Sequence, residues 1–319
     1  MDLINGKFVL RVLFFTGTFL WLIALEVSLG CAQGENIRVD TNLVTIPVTV
    51  LDRDGRYIAD LTDKDFEIYE NGIKQKNEFF ASTEEPITVM LLLDASSSIT
   101  YGQTAGMAKA VNEFVNMLRP DDQLIAASFA YRVYPILDAT KIKDLKKNFR
   151  IHYQQFDPQT LIYDAVAFAQ KKLKKVKGRK ALIIFGDGND DSGLSASFKS
   201  TIRAAEEQEA IIYAAQMRDY PNPPFTDPKK FAKSVEIATR YMEGLAAKTG
   251  GRHYIFDDIA DLSETFTKIT NELRQTYTLG YYASESGKDG ERRKITVKVN
   301  IPNVAVRSRN EVIFKKPKK

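Results

Sequence analysis

Val89-Met90-Leu91-Leu92-Leu93-Asp94-Ala95-Ser96-Ser97-Ser98 is the stretch from which the chain is best read. Its five apolar residues run unbroken, without alternation, which marks a strand buried on both faces of a parallel sheet. Asp94, Ser96 and Ser98 follow where that strand ends, and in open α/β sheets ligands bind beyond the carboxyl ends of the strands. One carboxylate and two hydroxyls at i, i+2 and i+4 are hard oxygen donors that suit Mg²⁺ or Mn²⁺ rather than zinc. Taken alone, the triplet is more economically read as a turn and helix N-cap, positions that Asp and Ser favour.

From Pro86 onward the same rhythm recurs. Strand candidates at 89–93, 124–129, 131–137, 181–185, 210–216 and 253–256 alternate with helix-like apolar spacing at 105–118, 161–175, 195–209, 230–248 and 261–274. This is the signature of a doubly wound, mainly parallel six-stranded α/β sheet flanked by helices. Gly250-Gly251 supplies a C-terminal stop for the fourth helix. Two further segments fall where a cation site on this sheet would need them. Gln159-Thr160-Leu161-Ile162-Tyr163-Asp164 brings a hydroxyl to a helix N-terminus before the fourth strand, and Phe185-Gly186-Asp187-Gly188-Asn189-Asp190-Asp191 brings a carboxylate just after that strand. Strand-end placement puts Asp94, Thr160 and Asp187 on one edge of the sheet.

The flanks are β-rich. Val44, Ile46, Val48 and Val50 alternate with Thr45, Pro47 and Thr49, a strand with one buried face, and Pro47 confines it to an edge or a bulge. A short helical turn is expected at 63–66, then a strand at 66–69, and Asn71-Gly72 is a two-residue hairpin signal. Asp52, Asp54, Asp63 and Asp65 are explained by turn and cap chemistry, since the twelve-residue calcium-loop spacing is absent. Beyond Gln275, strands are expected at 277–282, around Ile295, Val297 and Val299 after a turn at Lys288-Asp289-Gly290, and at 304–307 and 312–314. The two flanks are expected to pair into one small accessory β-sandwich. The organisation expected is therefore 33–85 as an N-terminal β segment, 86–275 as the α/β domain, 276–315 as a C-terminal β segment packed on the first, and 316–319 as a basic tail.

The N-terminal stretch has the build of an export signal: Lys7 and Arg11, then an apolar core from Val12 to Leu25 that is short for a membrane span, then Gly30-Cys31-Ala32 before a cut at Gln33 (1–32). A lipoprotein signal (1–30) is the alternative, with Cys31 becoming the lipidated first residue, although Ser28 stands where such boxes usually carry Leu. Cys31 is the sole cysteine of the 319 residues, so no disulfide forms, which fits a bacterial periplasm or envelope better than a disulfide-rich exterior. The 45 basic and 41 acidic residues nearly balance. The local run from Lys171 to Lys180 reads as the solvated end of a helix, where cations suit the macrodipole. No nucleic-acid motif accompanies it, so nucleic acid is not an expected partner.

The set Asp94-x-Ser96-x-Ser98, Thr160, Asp187 resembles the metal-ion-dependent adhesion site of the von Willebrand factor type A (VWFA) domain. So does Thr160-Leu161-Ile162-Tyr163-Asp164-Ala165 as a helix opening, and Ala246-Ala247-Lys248-Thr249-Gly250-Gly251 as a late helix stop. Val48 to Asp52, Asp65 to Gly72 and Tyr277 to Tyr282 are similar to exported bacterial VWFA-related domain proteins. Ser97 departs from the glycine more usual there, which bears on affinity if the loop needs a positive φ. The resemblance implies a divalent cation, Mg²⁺ or else Mn²⁺ or Ca²⁺, bound by the two serines and the threonine directly or through water. It implies aspartates that act largely through water and outer hydrogen bonds. Such a cation keeps an open position that an Asp or Glu carboxylate of a protein partner can fill.

The expected function is thus a non-enzymatic, cation-dependent protein-binding module of the cell envelope, touching a membrane only through a lipid anchor or an uncleaved signal. A structural scaffold with a vestigial metal site is the alternative. A haloacid-dehalogenase-like phosphatase is a weaker rival, because it needs a second Asp where Ser96 stands. Serine hydrolysis is poorer still, with only His152 and His253 and no Gly-x-Ser-x-Gly elbow.

Overall fold

The computed structural model describes residues 43–97, 101–146, 159–191, 194–218, 227–283 and 288–314. The stretch expected to be an export signal (1–32), with Cys31, and likewise Ser98, His152 and the basic tail lie outside the described residues.

At the centre is a six-stranded sheet. Its strands are β5 (Ile87–Asp94), β6 (Gln123–Phe129), β7 (Val133–Lys141), β8 (Arg179–Gly186), β9 (Ile211–Met217) and β10 (His253–Phe256), in the order β10-β9-β8-β5-β6-β7. All neighbours are parallel except β7, which runs antiparallel to β6. The helices are α1 (Tyr101–Met117), α2 (Ile162–Leu173), α3 (Phe198–Glu207), α4 (Pro228–Thr249) and α5 (Leu262–Leu273). The unbroken apolar run of β5 is explained at once. Val89, Leu91 and Leu93 pack on the face covered by α1 and α5, with Phe114 and Phe266. Met90 and Leu92 pack on the opposite face with Ile162 and Val166 of α2 and Tyr241 and Leu245 of α4. All five are fully buried.

The flanks form two antiparallel four-stranded sheets. One takes β1 (Leu43–Leu51), β4 (Phe79–Ala81), β11 (Thr276–Tyr282) and β13 (Ala305–Ser308) in the order β13-β1-β11-β4. The other takes β2 (Phe66–Glu70), β3 (Ile73–Gln75), β12 (Arg292–Val299) and β14 (Glu311–Ile313) in the order β14-β12-β2-β3. Ile46, Val48 and Val50 of β1 and Leu279 of β11 share one core with Ile68 of β2 and Ile295 and Val297 of β12. Residues from both ends of the sequence therefore build the sandwich together, with β1 paired along β11 from Leu43↔Tyr282 to Thr49↔Thr276. At the β2–β3 hairpin, Asn71 (φ 48°) and Gly72 (φ 82°) both take the positive φ that a tight two-residue turn of matching twist demands.

Two expectations need correction. β1 is an interior strand, not an edge: β13 covers only Val48 to Leu51, so Pro47 lies just past that pairing, where its missing N–H breaks no ladder bond. The strand expected at 131–137 begins at Val133, because Tyr131 and Arg132 form the turn that reverses the chain from β6 into β7.

Arg179, 6 % exposed, holds the crossing between the two halves. Its guanidinium donates to the carbonyls of Thr83 and Glu85 on the way into the α/β sheet, and to those of Leu273 and Thr276 on the way out. Burial lowers its pKa to about 10.

Candidate functional site

Successive connections leave β5 and β8 toward opposite faces: α1 follows β5 onto one face, and α3 follows β8 onto the other. A doubly wound sheet opens a crevice at such a switch point, outside the carboxyl ends of the two strands. Asp94 is the last residue of β5 and Asp187 the first after β8, and the strands pair directly through Leu93↔Phe185. Asp94 is fully buried, as is Ser96, while Asp187 and Thr160 are 3 % and 4 % exposed.

Each loop is built by short-range polar contacts. Asp94 Oδ1 accepts the Ser96 N–H at 2.8 Å, and Asp187 Oδ1 accepts the Asn189 N–H at 2.8 Å, so both carboxylates close tight turns on their own backbone. Ala95 donates its N–H to the Phe129 carbonyl at 2.7 Å, tying the first loop to the end of β6. The Thr160 segment is held from two sides: Leu161 N–H bonds the Ala130 carbonyl at 3.0 Å, and Thr160 N–H bonds Asp191 Oδ2 at 2.7 Å. Asp190 Oδ1 accepts the Tyr163 N–H at 3.1 Å and so caps α2. Burial raises the Asp190 carboxyl above its ordinary range. Behind the site, fully buried Gln216 on β9 donates Nε2–H to the Asp187 carbonyl at 2.8 Å, and its Oε1 meets His253 Nε2 at 2.9 Å.

The structure thus brings Asp94, Ser96, Thr160 and Asp187 to one edge of the sheet, at its switch point. Asp190, Asp191, Gly186 and Gln216 complete the assembly and were not singled out from sequence. A Cβ on Gly186 would lie 2.7 Å from Asp94 Oδ2 and 2.8 Å from Asp94 Cβ, so only glycine lets β8 end against that carboxylate. The acidic pair after Gly188 was the available signal, but its use as a strut between two loops depends on contacts between residues 27 and 31 apart. His253, on β10, is held by Gln216 and serves the packing of this edge. Tyr163 is half-buried against the core, with its ring 4.7 Å from Tyr241 in an edge-on contact, whereas Tyr131 is 48 % exposed.

Asp94 Oδ2 is buried without a hydrogen-bond partner, and no Lys or Arg pairs with that carboxylate among the described residues. Burial, and then the charge of Asp187 beside it, push the Asp94 carboxyl well above the usual carboxylate range, and the hydrogen bonds from Ser96 and from the Asp187 backbone offset this only in part. An unpartnered buried acceptor among hydroxyls, beside a second carboxylate, fits a hard divalent cation with oxygen ligands. Among the described residues no three His, Cys, Asp or Glu side chains converge on one point.

These features define a class: a doubly wound α/β domain with an oxygen-lined loop cluster at its switch point, carried on a β-sandwich built from its own flanks. The family model of the von Willebrand factor type A domain matches residues 88–268, and the chain belongs to that family. No match is found among curated proteins. Solved structures similar to it include an aerotolerance-related membrane protein from Bacteroides fragilis, at 14 % identity and a TM-score of 0.39, covering 58 % of this chain and 98 % of that one. A von Willebrand factor type A protein from Catenulispora acidiphila has 14 % identity and a TM-score of 0.43, covering 79 % and 74 %. Proximal thread matrix protein 1 from the mussel byssus, with a zinc-occupied metal-ion-dependent adhesion motif, has 13 % identity and a TM-score of 0.44, covering 64 % and 49 %.

Proposed function

We propose that this chain is a non-enzymatic, divalent-cation-dependent protein-binding module exported to the cell envelope. Ser96, Ser98 and Thr160 supply hydroxyls to the cation, Asp94 and Asp187 supply the compensating charge, and the cation is Mg²⁺, with Mn²⁺ or Ca²⁺ as substitutes. The observation that carries this reading is the buried, unpartnered Oδ2 of Asp94 beside Asp187, an arrangement that costs stability until a positive charge arrives. With two carboxylates and several neutral hydroxyls the cation stays electron-poor, and it completes its coordination with an Asp or Glu side chain of a protein partner. Such a contact needs no nucleophile and no proton transfer. Ser96, where a phosphatase would need its acid, is instead fully buried and spends its N–H on Asp94.

Export rests on Lys7, Arg11 and the apolar core ahead of Gln33, with Cys31 as the lipidated residue if the leader is a lipoprotein signal. Among the described residues no helix is long and apolar enough to cross a membrane. Titration calorimetry with Mg²⁺ tests the cation site: binding is expected for the unaltered chain and is lost in Asp94→Ala and in Ser98→Ala. Equal heats for all three overturn it. Capture from envelope extract in Mg²⁺ but not in EDTA tests the partner, and capture indifferent to EDTA overturns the carboxylate-to-cation contact.

A further inference from the structure

The α2 helix runs from the site edge of the sheet to the opposite edge, and its last turn and the turn that follows carry a concentration of lysines. Lys171, Lys174, Lys175 and Lys177 are all exposed, and none makes an ion pair or side-chain hydrogen bond among the described residues. Three acidic groups on neighbouring elements pair with other cations. Asp138 on β7 takes Lys172 at 2.9 Å, Glu209 takes Lys180 at 2.8 Å, and Glu207 on α3 takes Arg203 at 3.0 Å. The helix dipole rewards a cation or two in a last turn. It does not reward four: of these only Lys171 lies within the helix, Lys174 is its C-cap, and those two sit at the i,i+3 spacing where like charges repel. Lys175 and Lys177 also lie past the helix end.

We propose that this lysine cluster is a docking surface for an anionic phospholipid membrane. The residue type selects that occupant over an acidic peptide. Of the four charges, Lys171 and Lys174 border a groove, and Lys175 and Lys177 stand exposed on the turn beyond the helix. They are all compact ammonium groups and never guanidinium forks, so they suit a dense layer of mobile phosphates better than a carboxylate in fixed geometry. The position also works mechanically. β8 starts at Arg179, two residues past Lys177, and ends at Gly186 beside the candidate cation site, so the rise of ~3.3 Å per step from its first residue to its last holds the two surfaces roughly 23 Å apart. The described chain also enters the fold at the lysine end: Leu43 shares a cavity with Glu207 and Glu209, and those two residues border the groove that contains Lys174. A membrane at the lysine edge leaves the opposite edge facing outward.

The test is sedimentation of the full chain with vesicles of mixed phosphatidylglycerol and phosphatidylcholine, or of phosphatidylcholine alone, in EDTA so that the cation site plays no part. Three proteins are compared: the unaltered chain, a quadruple variant (Lys171→Gln, Lys174→Gln, Lys175→Gln, Lys177→Gln), and a charge-matched control (Lys199→Gln, Lys229→Gln, Lys230→Gln, Lys233→Gln). Each lysine near an anionic leaflet is worth roughly five-fold in partitioning. The quadruple variant should therefore lose nearly three orders of magnitude on anionic vesicles, while the control keeps its binding and all three bind neutral vesicles alike. Binding of the unaltered chain should also fall as salt rises. Equal losses in the two variants, or equal binding of the unaltered chain to both vesicle types, overturn the proposal. Displacement by inorganic phosphate at constant ionic strength would assign a free-anion site instead, and stronger retention on polyglutamate than on vesicles would assign an acidic protein partner. Either result also overturns it. An unchanged thermal midpoint in the quadruple variant shows that it has folded. The outcome does not depend on cation binding, so it stands or falls apart from the proposed function.

Discussion

Asp94 is dehydrated by its position at the end of a fully buried strand, and it faces a second carboxylate with one oxygen unpartnered. That is a standing cost in the cation-free protein, so Asp94→Asn should stabilise it. Relief of an unpaired buried acceptor is worth about 1–3 kcal/mol, or roughly 2–4 °C in thermal midpoint per kcal/mol at this size. In saturating Mg²⁺ the order should invert, because only the unaltered chain gains the binding energy, about 2.7 kcal/mol at a hundred-fold excess over Kd. Melting both proteins in EDTA and in Mg²⁺ decides it, and a variant no more stable than its parent in EDTA would refute the strain. Gly186→Ala should act on the same atoms by contact: a methyl 2.7 Å from Asp94 Oδ2 has to displace the β5 or the β8 end. It should cost about 1–3 kcal/mol and weaken Mg²⁺ binding, and calorimetry showing parental affinity would contradict it. At this scale the sequence was informative in an uneven way. Asp94, Ser96, Thr160 and Asp187 were legible because strand ends and residue types announce them. Gly186 and Gln216 were not, because their importance lies in what touches them across strand pairings that no local pattern encodes.

Among elements, the strands of the central sheet were legible to within a residue or two at most ends, since burial on both faces leaves an apolar run with polar stops. β4 was not, because its three residues are a strand only through Phe79, Phe80 and Ala81 pairing with β11, some 200 residues later. The place of Pro47 was misjudged for a related reason, since how far β13 reaches along β1 is a tertiary fact. Arg179 was passed over within a run of lysines, yet it carries the junction between elements. Four carbonyls converge on its guanidinium, two from the segment before β5 and two from the end of α5 and the start of β11. Arg179→Met keeps the aliphatic bulk and strands those acceptors, so it should cost about 3–5 kcal/mol. The damage should be local, with limited proteolysis opening at 82–86 and 274–276 ahead of the sheet. Cleavage first at α1 or α2 would show that the arginine serves some other part of the fold.

In the whole molecule, the sandwich and the α/β sheet are joined by charged groups that neither half satisfies alone. Glu206 at the end of α3 is 2 % exposed and takes both guanidinium nitrogens of Arg292 on β12 at 2.7 Å, with Lys248 at 3.0 Å. Arg309, between β13 and β14, donates to the Gln208 carbonyl at 2.9 Å and to that of Glu206, supplying partners that the end of α3 lacks within its own helix. Burial alone would raise the Glu206 carboxyl, but the bonds from Arg292 and Lys248 outweigh it and hold the group below its ordinary range. A depressed carboxylate contributes stability that is complete above its unfolded value and lost as pH falls through the folded one. The thermal midpoint should therefore decline from about pH 4.5 downward, and Glu206→Gln should be destabilised at neutral pH with a shallower acid limb. Parallel acid limbs would exclude Glu206 as the sensor. The same interlock bears on how the flanks fold. β11 lies between β1 and β4, and β12 between β2 and β14, so removing residues 33–85 strips β11 of both its neighbours and β12 of one. The C-terminal segment 276–314 should then lose protease resistance as a unit and expose Tyr277, Leu279 and Tyr281, all of them fully buried in the intact chain. If that segment stays folded and resistant in the truncated protein, the two flanks are separate modules that merely touch, and the sandwich is not the joint product of both ends of the chain.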